Sequence, residues 1–450
     1  MNRRIAFRAL GCRVNQEEIE CLRGNFADRG YDIVPYESQA DVYVVNTCTV
    51  TGLADAESRK VIRRALRRKP EDGLVVVTGC YAQRDPEALR GITGVDLVLG
   101  NTEKSQLLEH VQRHVEDRRL AGELWVAETP RTQAFLGHGR REKPGTDGAR
   151  TRATLKIQDG CDEKCTYCII PSVRGISVSR DREEVLAEAR QLAGLGYREI
   201  ALTGVNTGCY GHDLGDADGL ADLVLRLRDL DLPLRFRLNS LEPRTVTDRL
   251  LQAIGECPSL CDHFHVPMQH GDSRILKRMG RTYEASFYRE VVERIHDRFP
   301  LAGIGADLMV GFPGEGPEHF EESHDFVASL PLSYLHVFTY SMREGTPATR
   351  MQGHLDAQTR QDRSRRLHEL EERLRWDFQD RAEGQEEVLL VESKKGPGGR
   401  LTGLCSNYLR VELLGQGSTR PAPNEFWRVR LHKGEDCRLA FATALERIDR

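Results

Sequence analysis

The sequence predicts a three-part α/β chain: an open parallel sheet wrapped by helices, then a partial α/β barrel, then a small antiparallel β-barrel. Short apolar runs alternate with helical patterns over the first 110 residues and again from residue 154 to residue 339. From residue 386 the runs alternate in strand fashion and are separated by Gly- and Pro-rich turns. A chain of 450 residues, at about 150 residues per domain, also suggests three domains.

Cysteines end three strands of the predicted N-terminal sheet. The four strand-like runs of this part are Ile5–Leu10, Asp41–Val45, Leu74–Thr78 and Val95–Leu99. Cys12, Cys48 and Cys80 follow the first three of them. Because ligands of an open parallel sheet bind in the crevice beyond the carboxyl ends of its strands, we expect these thiols to converge. Their shared position favours a three-cysteine iron–sulfur site over three unrelated core cysteines.

A second group of cysteines has the spacing C-x3-C-x2-C. It consists of Cys161, Cys165 and Cys168, directly after an apolar alternating segment. Four-iron clusters are normally held by four thiolates, so three cysteines leave one iron for another ligand. The alternative is a zinc loop, which needs a partner pair; the nearest candidates, Cys257 and Cys261, lie about ninety residues further on. The spacing therefore favours an iron–sulfur cluster.

Six βα units follow the N-terminal part. The strand candidates are Thr154–Gln158, Glu199–Thr203, Arg235–Asn239, His263–Val266, Gly303–Val310 and Tyr334–Thr339. Six units are fewer than a closed eight-stranded barrel requires, so the pattern predicts a partial barrel with its chemistry at the carboxyl ends of the strands.

The remaining segments are a linker, a long helix and the last barrel. A polar stretch from about residue 125 to residue 152 is typical of a linker or a mobile loop. Asp356–Glu383 carries one apolar helical stripe. Glu387–Glu392, Asn407–Leu413 and Phe426–Leu431 are the strand candidates of the small barrel.

Charge points to a local rather than a global partner surface. The 65 basic and 69 acidic residues nearly cancel. Six basic residues nevertheless recur on one face of the predicted helix Leu53–Arg68: Arg59, Lys60, Arg63, Arg64, Arg67 and Arg68. Like charges repel, so a polyanion would relieve them. The alternative is an ordinary solvated face.

Nothing in the sequence indicates a membrane partner. Met1 leads directly into a strand-like run without a signal pattern, and no window approaches the roughly 20 apolar residues of a spanning helix. We therefore expect a cytoplasmic protein. In a reducing compartment its twelve cysteines are metal ligands, catalytic thiols or core residues rather than disulfides.

Four segments resemble the radical S-adenosylmethionine (SAM) methylthiotransferase family: LGCRVNQEE, DVYVVNTCTVTGLADAESRKVIRRA, VVVTGCYAQ and KIQDGCDEKCTYCIIPSVRG. The resemblance covers essentially the whole chain. It implies an N-terminal methylthiotransferase domain over residues 1–120, a linker at 121–150, a radical-SAM partial barrel at 151–383, and a TRAM domain at 384–450, which is an OB-like RNA-binding barrel.

The resemblance also implies the cofactors and partners. These are two 4Fe-4S clusters, with SAM as methyl donor and radical source. Cys161, Cys165 and Cys168 would hold the catalytic cluster whose free iron binds SAM, and Cys12, Cys48 and Cys80 would hold an auxiliary cluster that presents sulfur. The implied partners are the tRNA anticodon stem-loop, an electron donor such as flavodoxin or ferredoxin, and a sulfur source.

Further residues are candidates for SAM or substrate contact. They are Tyr167 in the cluster loop and, after the barrel strands, Gly204, Asn206, Ser240, Glu242, Gln269 and Asp307. Because a buried unpaired carboxylate is costly, we expect Asp307 to have a cationic or hydrogen-bonding partner. Asp159 is expected to cap the cluster loop. Gly311 and Gly314 are equally well explained as turn glycines or as cofactor contacts.

The RNA-binding candidates lie in two places. Arg59, Arg63, Arg64 and Arg67 belong to the basic helix face, and Lys394, Lys395 and Arg400 belong to the C-terminal barrel. Arg410, Tyr408 and Trp427 are added there for phosphate contact and base stacking. The alternative is an inert β-domain with ordinary surface charges.

The residues after the first Gly-Cys pair, Arg13-Val14-Asn15-Gln16, resemble one branch of the family. That branch inserts a methylthio group at C2 of N6-threonylcarbamoyladenosine (t6A) at position 37 of the tRNA anticodon loop. Three alternatives stay open: a branch acting on isopentenyladenosine, a branch acting on a ribosomal-protein aspartate, and a non-catalytic iron–sulfur RNA-binding protein.

Overall fold

A computed structural model describes residues 3–116, 122–128, 135–137, 139, 143–144, 151–414 and 421–448. Most of the predicted linker at 121–150 lies outside the described residues. The chain forms two compact units. The first is made of Met1–Glu142, Gln158–Arg180 and Ser341–Thr349; the second is made of Lys143–Ile157, Asp181–Tyr340 and Arg350–Arg450.

The first unit contains an open sheet of six parallel strands, in the order β2-β1-β3-β4-β5-β6. The strands are β1 Arg4–Ala9, β2 Asp32–Val34, β3 Val42–Thr47, β4 Leu74–Gly79, β5 Leu97–Leu99 and β6 Glu123–Trp125. The predicted open parallel sheet is confirmed. The edge strands β2 and β6 were not predicted.

Helices cover both faces of this sheet. They are α1 Arg13–Asp28, α2 Gly52–Arg68, α3 Cys80–Arg84, α4 Pro86–Arg90 and α5 Leu107–Glu116. One apolar cluster packs Phe7 and Val44 against α1 and α5, and another packs Tyr43 and Val75 against α2. Because β3 and β4 are buried on both faces, their sequences read as continuous apolar runs.

The central part of the chain, residues 153–339, contains eight strands and seven α-helices among the described residues. Its strands are β7 Ala153–Lys156, β8 Gln158–Asp159, β9 Val178–Ser179, β10 Glu199–Thr203, β11 Arg235–Arg237, β12 His263–His265, β13 Gly303–Val310 and β14 Tyr334–Thr339. Its helices are α6 Ile170–Arg174, α7 Arg182–Gly194, α8 Gly219–Arg228, α9 Asp248–Gly255, α10 Ser273–Arg278, α11 Ala285–Arg298 and α12 Pro317–Ala328. The short strands β8 and β9, which pair antiparallel, and helix α6 belong to the first unit.

The second unit contains the six predicted barrel strands. They form two parallel three-stranded sheets, β11-β10-β7 and β12-β13-β14. One apolar core runs under both sheets and includes Leu155, Leu202, Phe236, Phe264 and Ile304. The arrangement confirms the predicted partial barrel.

A long helix leads from this barrel to a closed five-stranded one. The elements are α13 Ala357–Ala382, β15 Glu386–Lys395, β16 Leu401–Cys405, β17 Arg410–Leu414, β18 Phe426–Asp436 and β19 Leu439–Ile448. The barrel order is β15-β16-β17-β19-β18, antiparallel except for the parallel pair β17–β19. The small C-terminal barrel is confirmed; β16 and β19 add strands that the sequence pattern did not reveal.

Buried ion pairs tie the small barrel to the partial barrel. Glu199 is fully buried and accepts hydrogen bonds from Arg235 and Arg237. Both guanidinium groups also donate to backbone carbonyls of the small barrel, including those of Leu404 and Cys405. These charge-assisted hydrogen bonds, from arginines of β11 to carbonyls of β16, fix the orientation of the two barrels within this unit. In the part of the chain that the structure describes, no helix is long and apolar enough to cross a membrane.

Candidate functional site

The first cysteine group lies at the carboxyl edge of the N-terminal sheet. Cys12 follows β1, Cys48 follows β3 and Cys80 begins α3 after β4, and these three strands are neighbours in the sheet. The thiols interact electrostatically with one another. Gly11 has φ +82°, and a Cβ at this position would lie 2.5 Å from Sγ of Cys48. A glycine is therefore needed for the thiols to approach.

Buried cations surround this group. Cys48 and Cys80 are buried, and burial raises the pKa of the Cys48 thiol to about 11. Arg174 (0% exposed) and Lys104 (1% exposed) both interact electrostatically with Cys80. Iron-bound thiolates carry negative charge, so two adjacent buried cations suit a thiolate-held cluster better than three neutral thiols. The donor set therefore fits a 4Fe-4S cluster.

The second cysteine group lies in the loop between β8 and α6. The backbone N–H of Cys161 donates to the Gly175 carbonyl at 3.0 Å, and that of Ile170 donates to Sγ of Cys168 at 3.4 Å. Cys161 interacts electrostatically with Cys168 and Cys165, and burial raises its pKa to about 12. Three half-buried thiols in one short loop likewise fit a cluster with three protein ligands.

Glycine is required at the start of this loop. Gly160 has φ +72°, and a Cβ there would lie 1.8 Å from the carbonyl oxygen of Ile176. The side chain of Asp159 accepts a hydrogen bond from the Gly160 N–H at 2.8 Å. The expected capping role of Asp159 is therefore present.

Arg174 connects the two cysteine groups. Its Nη1 lies 2.9 Å from the Asp159 carboxylate, beside the second group, and 3.1 Å from Oε1 of Glu18 on α1. Its Nη2 donates to Oδ1 of Asn15 at 2.5 Å. Lys104 in turn donates to Glu18 at 2.5 Å. Both cations are thus held in place by buried carboxylates, and Arg174 interacts electrostatically with Cys12 and Cys80.

Apolar packing joins the groups as well. Helix α6, which begins two residues after Cys168, packs on α3, which begins with Cys80. Cys80, Ile169 and Val173 form one buried cluster. The side-chain amide of Asn101 donates to the Val173 carbonyl at 2.7 Å. The two sites are therefore held in one rigid arrangement inside the first unit.

The segment Ser341–Thr349 contacts both groups. The buried Arg343 donates to Thr49, next to Cys48, at 2.6 Å and to Asp55 of α2 at 2.8 Å. Five residues along, the Ala348 N–H donates to the carbonyl of Thr166 in the second cysteine loop at 2.8 Å. Tyr167, a predicted cofactor contact, is the next residue of that loop and is half-buried.

Sequence reasoning missed the residues that support the cysteines. Arg174, Lys104, Glu18 and Arg343 are buried ionic residues whose partners lie far away in the chain. The only signal in the sequence is nearness to a cysteine of one group: Arg174 comes six residues after Cys168. A buried charge needs a partner, but the sequence does not show which side chain provides it.

Two candidate positions in the second unit have strained backbone. Ser240, after β11, has φ +53°, and Gln269, after β12, has φ +72°. Such conformations are uncommon for residues with a side chain and cluster at functional sites. Gln269 is held there because its N–H donates to the Asp307 carbonyl at 2.8 Å and its own carbonyl accepts from Met309.

The candidates after β10 and β11 lie close together. Gly204 and Asn206 follow β10, and the N–H of Thr207 donates to the Ser240 carbonyl at 3.2 Å. The side chain of Asn206 lies 3.1 Å from Sγ of Cys209. Glu242 is buried, and Arg281 donates to it at 2.7 Å.

Asp307 has two histidine partners. Its Oδ1 lies 2.9 Å from Nε2 of His265 and 3.1 Å from Nδ1 of His336. Burial alone would raise the pKa of Asp307, but the hydrogen bonds from both histidines hold it well below its usual range. The expectation of a partner is met. The cluster itself was missed, because it combines single residues of three neighbouring strands.

Gly311 and Gly314 have backbone roles. Both have positive φ, +75° and +87°. The N–H of Gly311 donates to the buried Glu315 at 2.7 Å, and the N–H of Gly314 donates to the Gly353 carbonyl at 2.8 Å. A Cβ at Gly311 would lie 2.4 Å from the side chain of Arg360. Turn geometry and close packing account for both glycines.

The basic face of α2 is only partly compensated. Arg59 donates to the Tyr81 hydroxyl at 2.8 Å, and Arg64 lies 4.0 Å from Glu57. Arg63 and Arg67 are exposed, and no ion pair to them is seen among the described residues. The face therefore presents free positive charge on the surface of the first unit.

The C-terminal candidates differ in accessibility. Lys394 and Lys395 are exposed at the end of β15. Arg400 lies 3.3 Å from Glu412 and its guanidinium stacks over Phe441. Trp427 is only 4% exposed in the barrel core, so the expectation that it stacks on a base is wrong. Its indole is needed to fill the barrel interior instead.

Two family models match the chain. Residues 155–327 match the Radical SAM superfamily, and residues 4–100 match the model described as Uncharacterized protein family UPF0004. The first match spans five of the six barrel strands and the second cysteine loop; the second includes Cys12, Cys48 and Cys80. The fold and these matches define a radical-SAM enzyme with an additional N-terminal cysteine-bearing domain.

Comparison with curated relatives shows which family of radical-SAM enzymes the chain belongs to. The chain is 38% identical to the threonylcarbamoyladenosine tRNA methylthiotransferase MtaB of Bacillus subtilis (strain 168), over 91% of this chain and 90% of that protein. It is 34% identical to the tRNA-2-methylthio-N(6)-dimethylallyladenosine synthase of Alkaliphilus oremlandii, over 81% and 77%. The chain belongs to the radical-SAM methylthiotransferase family. Its cofactors are accordingly SAM and two 4Fe-4S clusters, which the two cysteine groups fit.

Solved structures support the fold. The radical SAM methyltransferase TsrM of Kitasatospora setae, solved with cobalamin and a 4Fe-4S cluster, has a TM-score of 0.58 at 16% identity, with 77% of each chain covered. The cobalamin-dependent SAM radical enzyme OxsB has a TM-score of 0.51 at 12% identity, over 77% of this chain and 54% of that one. At these identities the likeness concerns architecture alone.

Proposed function

We propose that this enzyme inserts a methylthio group at C2 of t6A at position 37 of the tRNA anticodon loop. The observation that carries the proposal is the pair of three-cysteine groups joined by Arg174 in one compact unit. The names of three relatives, at 32–38% identity, direct the choice of nucleoside. When bound, the clusters and SAM supply the one-electron chemistry that activates an unreactive C–H bond, together with a site for the transferred sulfur.

The residues of the chain have three tasks in this proposal. Cys161, Cys165 and Cys168 hold the cluster that binds SAM, and Cys12, Cys48 and Cys80 hold the other. Arg174 and Lys104 offset the negative charge of the thiolates. Arg174 also holds the second group in place beside the first. Asn206, Gln269 and the other strand-end candidates bind SAM or the base. Because C2 lies inside the base, the nucleotide must be unstacked, which costs least in a single-stranded loop.

The remaining expectations belong to the same proposal. The domain boundaries stay at 1–120, 151–383 and 384–450, with the last as an RNA-binding TRAM domain. The proposal also includes a cytoplasmic location, an electron donor of the flavodoxin or ferredoxin kind, and a sulfur source.

Nucleoside mass spectrometry tests the proposal. The cluster-reconstituted protein is incubated anaerobically with SAM, a reductant and either of two tRNAs, one carrying t6A and one carrying isopentenyladenosine. We expect a methylthio mass gain on t6A alone. A gain on isopentenyladenosine alone would contradict the choice of nucleoside, and 5′-deoxyadenosine release without any gain would point to a protein substrate.

Asp307→Asn should weaken SAM binding. The asparagine keeps the shape but removes the negative charge that accepts from His265 and His336. We expect KM for SAM in 5′-deoxyadenosine formation to rise about tenfold, because a neutral amide oxygen accepts the two hydrogen bonds more weakly than the carboxylate and holds the site less firmly. The matched control is Asp297→Asn, on an exposed position of α11. Equal KM values for both variants would remove Asp307 from the set of cofactor-binding residues.

Arg63→Gln and Arg67→Gln should each weaken tRNA binding, by about the same factor for tRNAs of different sequence. Each arginine is exposed and free to contact a phosphate. A lost phosphate contact lowers the slope of log Kd against log salt by about 1. Arg29→Gln, an exposed arginine at the end of α1, is the control. If the salt dependence is the same in all three variants and the parent, the α2 face does not contact RNA.

A further inference from the structure

A cavity in the second unit is lined by four arginines, and its lining contains none of the six cysteines of the two cysteine groups. It lies among the amino end of β14, helix α13 and strands β16 to β19, and has a volume of about 260 Å³. Its lining includes Arg152, Arg375, Arg410 and Arg438. Among the described residues that line it, none is acidic.

The carboxylates near these four guanidinium groups do not neutralise them fully. Three carboxylates lie close, and each is shared by at least two arginines. Glu392 lies 3.2 Å from Arg152 and 2.6 Å from Arg410. Glu371 pairs with Arg375 and lies 3.6 Å from Arg438. Glu199 lies 3.6 Å from Arg152 but also pairs with Arg235 and Arg237. An excess of positive charge in a partly enclosed cavity attracts an anion more strongly than the same charges would in open water.

A buried amide gives independent evidence for a ligand. Asn407 lines the cavity and is 1% exposed. Its Oδ1 accepts from the Leu409 N–H at 3.1 Å, which fixes the orientation of the amide. Its Nδ2 is buried and has no hydrogen-bond partner. A buried donor without an acceptor costs free energy, and an acceptor bound in the cavity that Asn407 lines would satisfy it.

The rest of the lining is aromatic and apolar, a tyrosine wall to which Tyr334, Tyr408, Phe378 and Leu404 contribute. The ring of Tyr408 stacks on His263 at 4.1 Å between centroids, so it is held in place. The guanidinium of Arg375 lies over the Tyr334 ring, 5.6 Å from its centroid. Cationic and aromatic groups side by side in one cavity suit a ligand that carries both a phosphate and a flat or apolar group.

We propose that this cavity is a nucleotide-phosphate site in which the arginines and Nδ2 of Asn407 bind the phosphate and the tyrosine wall contacts the sugar or base. The volume is small for a ligand cavity and suits a single nucleotide. That nucleotide is either a free mononucleotide or one residue of a bound RNA strand. The site shares Arg410 and Tyr408 with the RNA-binding candidates named from the sequence, but it uses none of the cluster cysteines or SAM-binding candidates of the proposed methylthiolation.

Calorimetric titration of the full-length reconstituted protein tests the site, with SAM in excess to fill its own pocket. The probes are uridine monophosphate and hexauridylate, neither of which contains adenine. Asn407→Asp keeps the bond to Leu409 and puts a carboxylate where the donor points; Arg438→Gln removes one charge from an exposed side chain. The control is Arg430→Gln, an exposed arginine of β18 outside the cavity lining.

We expect saturable binding of at least one probe, with Kd raised about tenfold or more in Asn407→Asp and in Arg438→Gln and unchanged in Arg430→Gln. An effect on uridine monophosphate identifies a free nucleotide as a ligand; an effect on hexauridylate alone identifies a nucleotide of RNA. The proposal is overturned if neither probe binds, or if both cavity variants bind both probes as tightly as the parent does. A thermal melt of each variant confirms that it is folded before titration.

Discussion

Cys165→Ala is expected to abolish 5′-deoxyadenosine formation, whereas Cys48→Ala should retain it and lose the methylthio product. The reason is the separation of the two groups: Cys165 belongs to the loop between β8 and α6, and Cys48 belongs to the sheet edge. A cluster with only two protein thiolates left would not hold the iron that binds SAM. Both products are measured in the same anaerobic reaction by mass spectrometry.

The control for this pair is Cys21→Ala. Cys21 is buried in the core of the same unit and packs in its apolar cluster. Both products should persist in this variant. Equal 5′-deoxyadenosine yields from Cys165→Ala and the parent would refute the assignment of the two groups.

Arg174→Met should destabilise the first unit by about 3–5 kcal/mol, the cost of breaking a buried ion pair by removing one partner. Methionine fills most of the volume but leaves the carboxylates of Asp159 and Glu18 without this buried cation. Denaturant unfolding, followed by near-UV circular dichroism, measures the change. The iron content should fall as well, because positive charge beside Cys12 and Cys80 is lost.

The control is Arg90→Gln, which breaks an exposed pair with Glu87. Such surface pairs contribute about 1 kcal/mol or less. If Arg174→Met is no more destabilising than Arg90→Gln, Arg174 is not the residue that holds the two cysteine groups together.

The cysteines of both groups were predictable because their positions follow from local rules. A C-x3-C-x2-C loop is visible as spacing, and cysteines at the ends of parallel strands converge in any open α/β sheet. Most strands of five or more residues were found by their period, but β16 and β19 of the small barrel were not. The three-residue edge strands β2 and β6 were missed as well.

Long-range electrostatics escaped prediction. The partners of Arg174 are 15 and 156 residues away in the chain, and those of Arg343 are 288 and 294 residues away. A charged residue in the sequence looks the same whether it lies on the surface or in a buried network. The same limit applies to the cluster of His265, Asp307 and His336, whose side chains meet only when their three strands pair. It also applies to Asn407, whose buried and unpaired amide cannot be recognised from the sequence.

The central claim is that each cysteine group holds its own four-iron cluster, and iron counting with Mössbauer spectroscopy tests it most directly. The reconstituted protein should bind about eight iron atoms, and variants with all three cysteines of either group replaced by alanine should keep about four each. Retention of about four in both variants, with different spectra, agrees with two independent clusters. About four iron atoms in the parent, or loss of all iron in either variant, would contradict it.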